Sequence, residues 1–254
     1  MKFRPCIDLH EGKVKQIVGS TLSDTKREGL VTNFATDLSP AHFAAIYKRD
    51  GLAGGHIIML GPGNDDAAAS AIAGFPQGFH VGGGITPQNA RHYLDLGASH
   101  VIVTSCIFKD GRIYWQNLES MVSAVGKERL VLDLSCIRQD NVYYIATDRW
   151  QRITSVTVSK DTLETLGAYC DEFLIHAAHV EGKRSGIDGG LVKMLGEFSP
   201  RPATYAGGIR SVEDLDLVLS LGQGKVDATV GSALDIFGGT LKYEDVVAWH
   251  KEHQ

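Results

Sequence analysis

Two aspartates and two glycine turns recur at half the length of the chain. Asp8 in PCIDLH and Asp133 in VLDLS, each the only acid of its apolar run, are 125 residues apart. VGGGIT at 81–86 returns as YAGGIR at 205–210, and VIVTS at 101–105 returns as ATVGS at 228–232. Gly84 and Gly208 are thus 124 residues apart, and Ser105 and Ser232 are 127 apart. Glycine lets backbone N–H groups approach an anion closely, which makes such turns candidate phosphate cradles. Gly82, Gly83 and Gly84 with Thr104 and Ser105 would form one cradle, and Gly207, Gly208, Gly231 and Ser232 the other. Paired carboxylates suit general acid–base work: one is ionised and takes a proton, while burial or a like charge keeps the other protonated to give one. The combination points to proton transfer, without a cofactor, on a small molecule carrying two phosphates.

Strand-like runs must position these groups. They are Pro5–Leu9, His56–Leu60, Phe79–Val81, His100–Thr104, Leu130–Leu134, Phe173–His176, Thr204–Ala206 and Asp227–Val230. Amphipathic stretches separate them, so the chain reads as eight strand–helix pairs. A doubly wound open sheet would alternate in the same way, but it gives no reason for a half-length repeat. The repeat favours a (β/α)8 TIM barrel, one domain over 1–254, built from two duplicated half-barrels at roughly 1–127 and 128–254. Both glycine turns then leave strands on the active face. Thr86-Pro87 reads as a cap and first helical residue, Ser211 to Asp214 as a capping box, and Ala233–Phe237 as a short extra helix. Lys13–Asp37 and Arg138–Ser159 read as long connections able to close over a ligand.

Glycine accounts for 29 of the 254 residues, and the formal charge of −5 comes from interspersed acids and bases. No basic face marks a nucleic-acid or membrane partner. Four cysteines, Cys6, Cys106, Cys136 and Cys170, lack ligand spacing and read as thiols of a reducing compartment. The first residues are charged, and no run approaches the ~18 apolar residues of a membrane span. A cytoplasmic monomer is expected. No metal site is expected either: in an extended segment His176 and His179 would point to opposite faces.

RPCIDLHEGKVKQIVG at 4–19, VGGGI at 81–85, VLDLS at 131–135, HVEGKRSGID at 179–188, AGGI at 206–209 and GSALDIFGG at 231–239 carry a resemblance. Together they resemble the phosphoribosylformimino-5-aminoimidazole carboxamide ribotide isomerases of histidine biosynthesis, in their eukaryotic branch. The resemblance implies an Amadori rearrangement of an aminoaldose ribonucleotide with two phosphates, using neither metal nor coenzyme. It implies Asp8 as the base that takes the C2′ proton, Asp133 as the acid that opens the furanose, and Trp150 as a stacking partner of the imidazole carboxamide. Bacterial members place Thr and then an acid at the end of the sixth strand, and Asp before Gly in the next loop. Here those positions are His176, Ala177 and Glu181. By position, His176 would orient or polarise the substrate, and Glu181 would supply the replaced carboxylate. Met59-Leu60-Gly61-Pro62 stands where bacterial relatives carry an Asp, and His179 where the eukaryotic pattern AADVEG has one. The sister cyclase of the pathway shares the barrel and the strand-end aspartates, but opens with a strand closer to CLDV followed by DGRVVKG. A non-catalytic bisphosphate binder would gain nothing from carboxylates between its phosphates.

Overall fold

Eight parallel strands close into a ring. The computed structural model describes residues 1–17, 31–148, 150–182 and 185–253. Its strands are β1 (Phe3–His10), β2 (Lys13–Ile17), β3 (Thr32–Ala35), β4 (Gly55–Met59), β5 (Phe79–Gly82), β6 (His100–Val103), β7 (Phe108–Lys109), β8 (Arg112–Ile113), β9 (Leu130–Asp133), β10 (Cys136–Gln139), β11 (Val142–Thr147), β12 (Arg152–Thr157), β13 (Glu172–His176), β14 (Ala203–Ala206) and β15 (Val226–Val230). The helices are α1 (Pro40–Arg49), α2 (Asp65–Gly74), α3 (Ala90–Asp95), α4 (Trp115–Val125), α5 (Lys160–Gly167), α6 (Gly189–Phe198), α7 (Val212–Leu221) and α8 (Tyr243–Glu252). The barrel runs β1-β4-β5-β6-β9-β13-β14-β15 and closes by pairing β15 with β1. All eight strand-like runs of the sequence become barrel strands, and the fold is a (β/α)8 TIM barrel.

The long connections contain more order than their length suggested. Glu11 and Gly12 (φ 52° and 74°) turn β1 back into β2 as a two-residue hairpin, because positive φ at both positions matches the twist of the flanking strands. Asp140 and Asn141 (φ 48° and 64°) do the same between β10 and β11, and β12 completes a separate three-stranded sheet. Positions 18–30 of the first connection, and 183–184 within HVEGKRSGID, lie outside the described residues.

Helix starts follow the sequence at one cradle and depart from it at the other. At α7, Ser211 Oγ accepts from the Asp214 N–H, and the Asp214 carboxylate accepts from the Arg210 N–H at 3.0 Å. This is the expected reciprocal cap, reaching one residue further back. Thr86-Pro87 does not begin α3, which starts only at Ala90. The Asn89 side chain accepts from the Thr86 N–H at 2.8 Å and donates to the Gly84 carbonyl at 3.0 Å, which fixes a turn ahead of the helix. The extra helix expected at Ala233–Phe237 is a 3-10 turn at Asp235–Phe237.

Alternation along the strands separates two apolar regions. The larger lies between sheet and helices and includes Phe43, Tyr47, Phe79, Phe173 and Phe237. Ile58, Ile102, Val131, Leu174 and Ala206 form a distinct cluster inside the ring. Near the strands' N-terminal ends the interior turns polar. Arg4 pairs with Asp227 at 2.8 Å and with Glu172 at 3.2 Å, and Thr204 donates to Glu172 at 2.8 Å. His56, His80 and His100 stand in register on adjacent strands, with ring centroids 5.7 and 4.4 Å apart.

Burial and the Arg4 charge push the His56 imidazole well below its ordinary value; burial and the neighbouring histidines do the same to His80. Unfolded, both titrate near 6.5. Below that pH the unfolded chain binds more protons than the folded one, so these groups subtract stability as pH falls, by at most about 1.4 kcal/mol per pH unit for each site. His80→Gln is therefore expected to gain stability relative to the parent between pH 7 and pH 5. Urea unfolding at the two pH values checks this.

Candidate active site

Ring order fixes what faces what. Asp8 near the end of β1 and Asp133 at the end of β9 lie four strands apart in either direction, on opposite sides of the opening. The same holds for the two glycine turns, which leave β5 and β14, and for Thr104-Ser105 and Gly231-Ser232, which follow β6 and β15.

One cavity gathers half of the sequence-selected residues. Asp8, His176 and Glu181 line it together with Gly207, Gly208, Gly231 and Ser232. Asp133 reaches it through His176: His176 Nδ1 lies 3.3 Å from Asp133 Oδ1, which also accepts from Ser135 Oγ at 2.8 Å. The Trp150 ring stands over His176 with centroids 6.1 Å apart. Gly82, Gly83, Gly84, Thr104 and Ser105 sit outside this cavity on the far strands. Ser105 Oγ accepts from the Asp148 N–H at 3.0 Å, tying that side to the β11–β12 tip.

Burial and mutual proximity move the proton affinities of three of these groups away from their ordinary values. Burial, reinforced by the like charge of Glu181, raises the Asp8 carboxyl to about 7, against opposing contributions from His176 and Gln16. Burial works against a charge on His176, yet Asp133, Glu181 and Asp8 together raise it to about 9. Asp8 is thus a raised carboxyl, and the His176 imidazole beside Asp133 keeps its proton at neutral pH. Glu181 is also pushed up by burial. Among the described residues its buried Oε2 has no hydrogen-bond partner, although a carboxylate oxygen accepts readily.

Two glycines explain the shape of the turns. Gly83 has φ 97°, and a Cβ there would lie 2.1 Å from the Met59 carbonyl oxygen; Gly208 has φ 74°, and its Cβ would lie 2.1 Å from that of Gly186. In each cradle the turn packs directly on backbone from the preceding strand–helix unit, and a side chain is excluded by both space and conformation. Gly83→Ala and Gly208→Ala are each expected to lower stability by more than the ~1–2 kcal/mol of a left-handed alanine alone. They should also lose any thermal stabilisation that inorganic phosphate gives the parent. Thermal melting with and without phosphate reads both effects.

Sequence reasoning missed Gln16, Cys6 and Thr229, which line the cavity. Gln16 had only a weak signal, the Gly12 of a two-residue turn whose first residue, Glu11, is not one that favours positive φ. The unexpected His179 has a partner: its Nε2 lies 2.9 Å from Asp188 Oδ2, while Tyr143 donates to Asp188 Oδ1 at 2.7 Å. An Asp at 179 would set two carboxylates against each other. Trp150 has φ 65°, a left-handed conformation that is strained for a bulky residue.

His176 and His179 take separate partners, Asp133 and Asp188. Among the described residues, His56, His80 and Glu172 bring potential ligand atoms within 4.8 Å of one another, but Arg4 already supplies the positive charge at Glu172. No helix among the described residues is long and apolar enough to cross a membrane.

Comparison with known proteins agrees with this architecture. The chloroplastic phosphoribosyl-imidazole-4-carboxamide isomerase of Medicago truncatula is 52% identical, the match covering 100% of this chain and 83% of that protein. The corresponding isomerase of Yarrowia lipolytica is 49% identical over 99% of this chain and 98% of its own length. That of Saccharomyces cerevisiae is 46% identical with the same coverage. The sister-cyclase and bisphosphate-binder readings find no support among these relatives. The family described as histidine biosynthesis protein matches residues 2–242, and the chain belongs to that family.

Proposed function

We propose that the chain isomerises N′-(5′-phosphoribosylformimino)-5-aminoimidazole-4-carboxamide ribonucleotide, an aminoaldose, to its phosphoribulosyl aminoketose by an Amadori rearrangement in L-histidine biosynthesis. The isomerase names of relatives 46–52% identical over the whole chain support the reaction. The observation that carries the site assignment is the placement of Asp8 opposite the Asp133–His176 pair, with a glycine cradle on each side.

In this reading Gly82, Gly83, Gly84, Thr104 and Ser105 hold one phosphate, and Gly207, Gly208, Gly231 and Ser232 hold the other. Asp133 keeps the His176 imidazole protonated through Nδ1 and leaves Nε2 for the substrate. The proton goes to the furanose oxygen as the ring opens to a Schiff base. Asp8 then takes the C2′ proton, and the resulting enaminol becomes the ketose as C1′ gains a proton and the 2′-hydroxyl loses one. The acid role implied for Asp133 alone thereby passes to a pair. Glu181 Oε2 accepts a substrate hydroxyl, and Trp150 stacks on the imidazole carboxamide. We also read the barrel as two duplicated half-barrels, acting as a monomer in the cytoplasm. The opposed cradles support the duplication, and the free cysteines support a reducing compartment.

Mixing the purified protein with the aminoaldose ribotide and separating products over time tests the reaction. Accumulation of the aminoketose is expected; an unchanged ribotide would overturn the reading.

A further inference from the structure

We propose that Gln16 is a positioning residue for Asp8: its amide holds one carboxylate oxygen, presents the other to the substrate, and ties that alignment to the second cradle through Gly231. The proposal rests on the isomerase reading for its substrate. Its geometry is that of the protein's own side chains.

Gln16 sits on β2, which the Glu11-Gly12 turn folds back along β1, and its side chain is buried at 4% exposure. Nε2 donates to Asp8 Oδ2 at 2.9 Å. An ionised carboxylate only accepts, so the amide must offer its NH2 on this side and turn its oxygen elsewhere. That oxygen lies over Gly231, where a Cβ would come within 2.6 Å of Oε1. One buried amide therefore spans from the proposed base to the proposed phosphate turn.

The chemistry of the contact matters as much as its reach. Cys6 from β1, His176 from β13 and Glu181 from the following loop surround Asp8, with Tyr47 of α1 behind. Of these neighbours and Gln16, the amide is the one hydrogen-bonded to Asp8. A hydrogen bond to the charged form favours ionisation, and here it opposes burial and the like charge of Glu181. A cation at 16 would suppress basicity, whereas a carboxylate would raise the proton affinity further. A neutral donor leaves a base that is both ionisable and aligned.

Two variants separate positioning from packing. Gln16→Leu removes the donor, and Gln16→Glu removes it while keeping the shape, so a folding failure of the first leaves the second. Each is expected to lower kcat by about 10- to 100-fold, the scale of a misaligned reacting group. KM should change little, and the acidic limb of kcat/KM should move to higher pH. Carboxyl titration of free protein by carbon NMR, assigned with Asp8→Asn, should show the Asp8 midpoint rising in both variants. Gly231→Ala, which crowds Oε1, should raise it too, and by less when Gln16 is already Leu. A lowered melting temperature with an unmoved Asp8 titration would mean a structural role only and overturn the proposal, as would an unchanged kcat. If the parent does not convert the ribotide, the isomerase reading fails. The titration still decides whether Gln16 governs Asp8.

Discussion

Asp8→Asn is expected to lower kcat by about 10²- to 10⁴-fold, the usual contribution of a positioned general base. The amide is nearly isosteric and should keep its contact with Gln16, so substrate binding should change little. Stability should move the other way. The folded protein raises the Asp8 carboxyl from 3.8 to about 7, so its favourable contribution is complete only below about 3.8 and is lost as pH rises through about 7. Asparagine carries no such dependence. The variant should therefore gain stability relative to the parent across that interval and hold the gain at higher pH. Denaturant unfolding at pH 4 and pH 8, beside single-turnover kinetics at pH 8, measures both sides. A slower enzyme that is also more stable above neutrality is the signature of a buried carboxylate kept for its chemistry. A variant that turns over at the parental rate would remove Asp8 from the proposed mechanism.

The barrel was legible because parallel strands buried on both faces leave short apolar runs, and the half-length repeat of Asp8/Asp133 and Gly84/Gly208 favoured closure over an open sheet. The antiparallel strands beside the site were less visible. Their signals are two-residue turns, Glu11-Gly12 and Asp140-Asn141, set within connections whose length suggested loops. Proton affinities were the least legible feature. How far the Asp8 carboxyl is raised depends on Glu181 and His176, which reach the site from β13 and the loop after it. Their effect on Asp8, far away in the sequence, appears only when the ring closes. Pro87 misled for a related reason: proline favours a helix start, but the two hydrogen bonds of Asn89 hold a turn first.

His176→Gln should produce the second large loss and the more diagnostic one. In the parent, kcat/KM should rise with pH as Asp8 loses its proton near 7, and fall as His176 loses its own near 9, leaving a maximum between them. Because the two groups also interact with Glu181, the limbs report the cluster and not isolated residues. Glutamine retains a hydrogen-bond donor for Asp133 but has no transferable proton. It should cost about 10²- to 10⁴-fold in rate and abolish the alkaline limb, while the acidic limb of Asp8 persists and moves to higher pH because the opposing His176 charge is gone. Asp133→Asn acts on the same proton from the other side: the imidazole stays, but without its counter-charge the alkaline limb should move to lower pH. If the paired assignment holds, the double variant should be little slower than His176→Gln alone, since both substitutions disable one proton donor. Independent, multiplicative losses would instead return the acid role to Asp133 and leave His176 as an orienting group. The pH profiles of the three variants therefore distinguish a donor pair from a lone carboxylic acid.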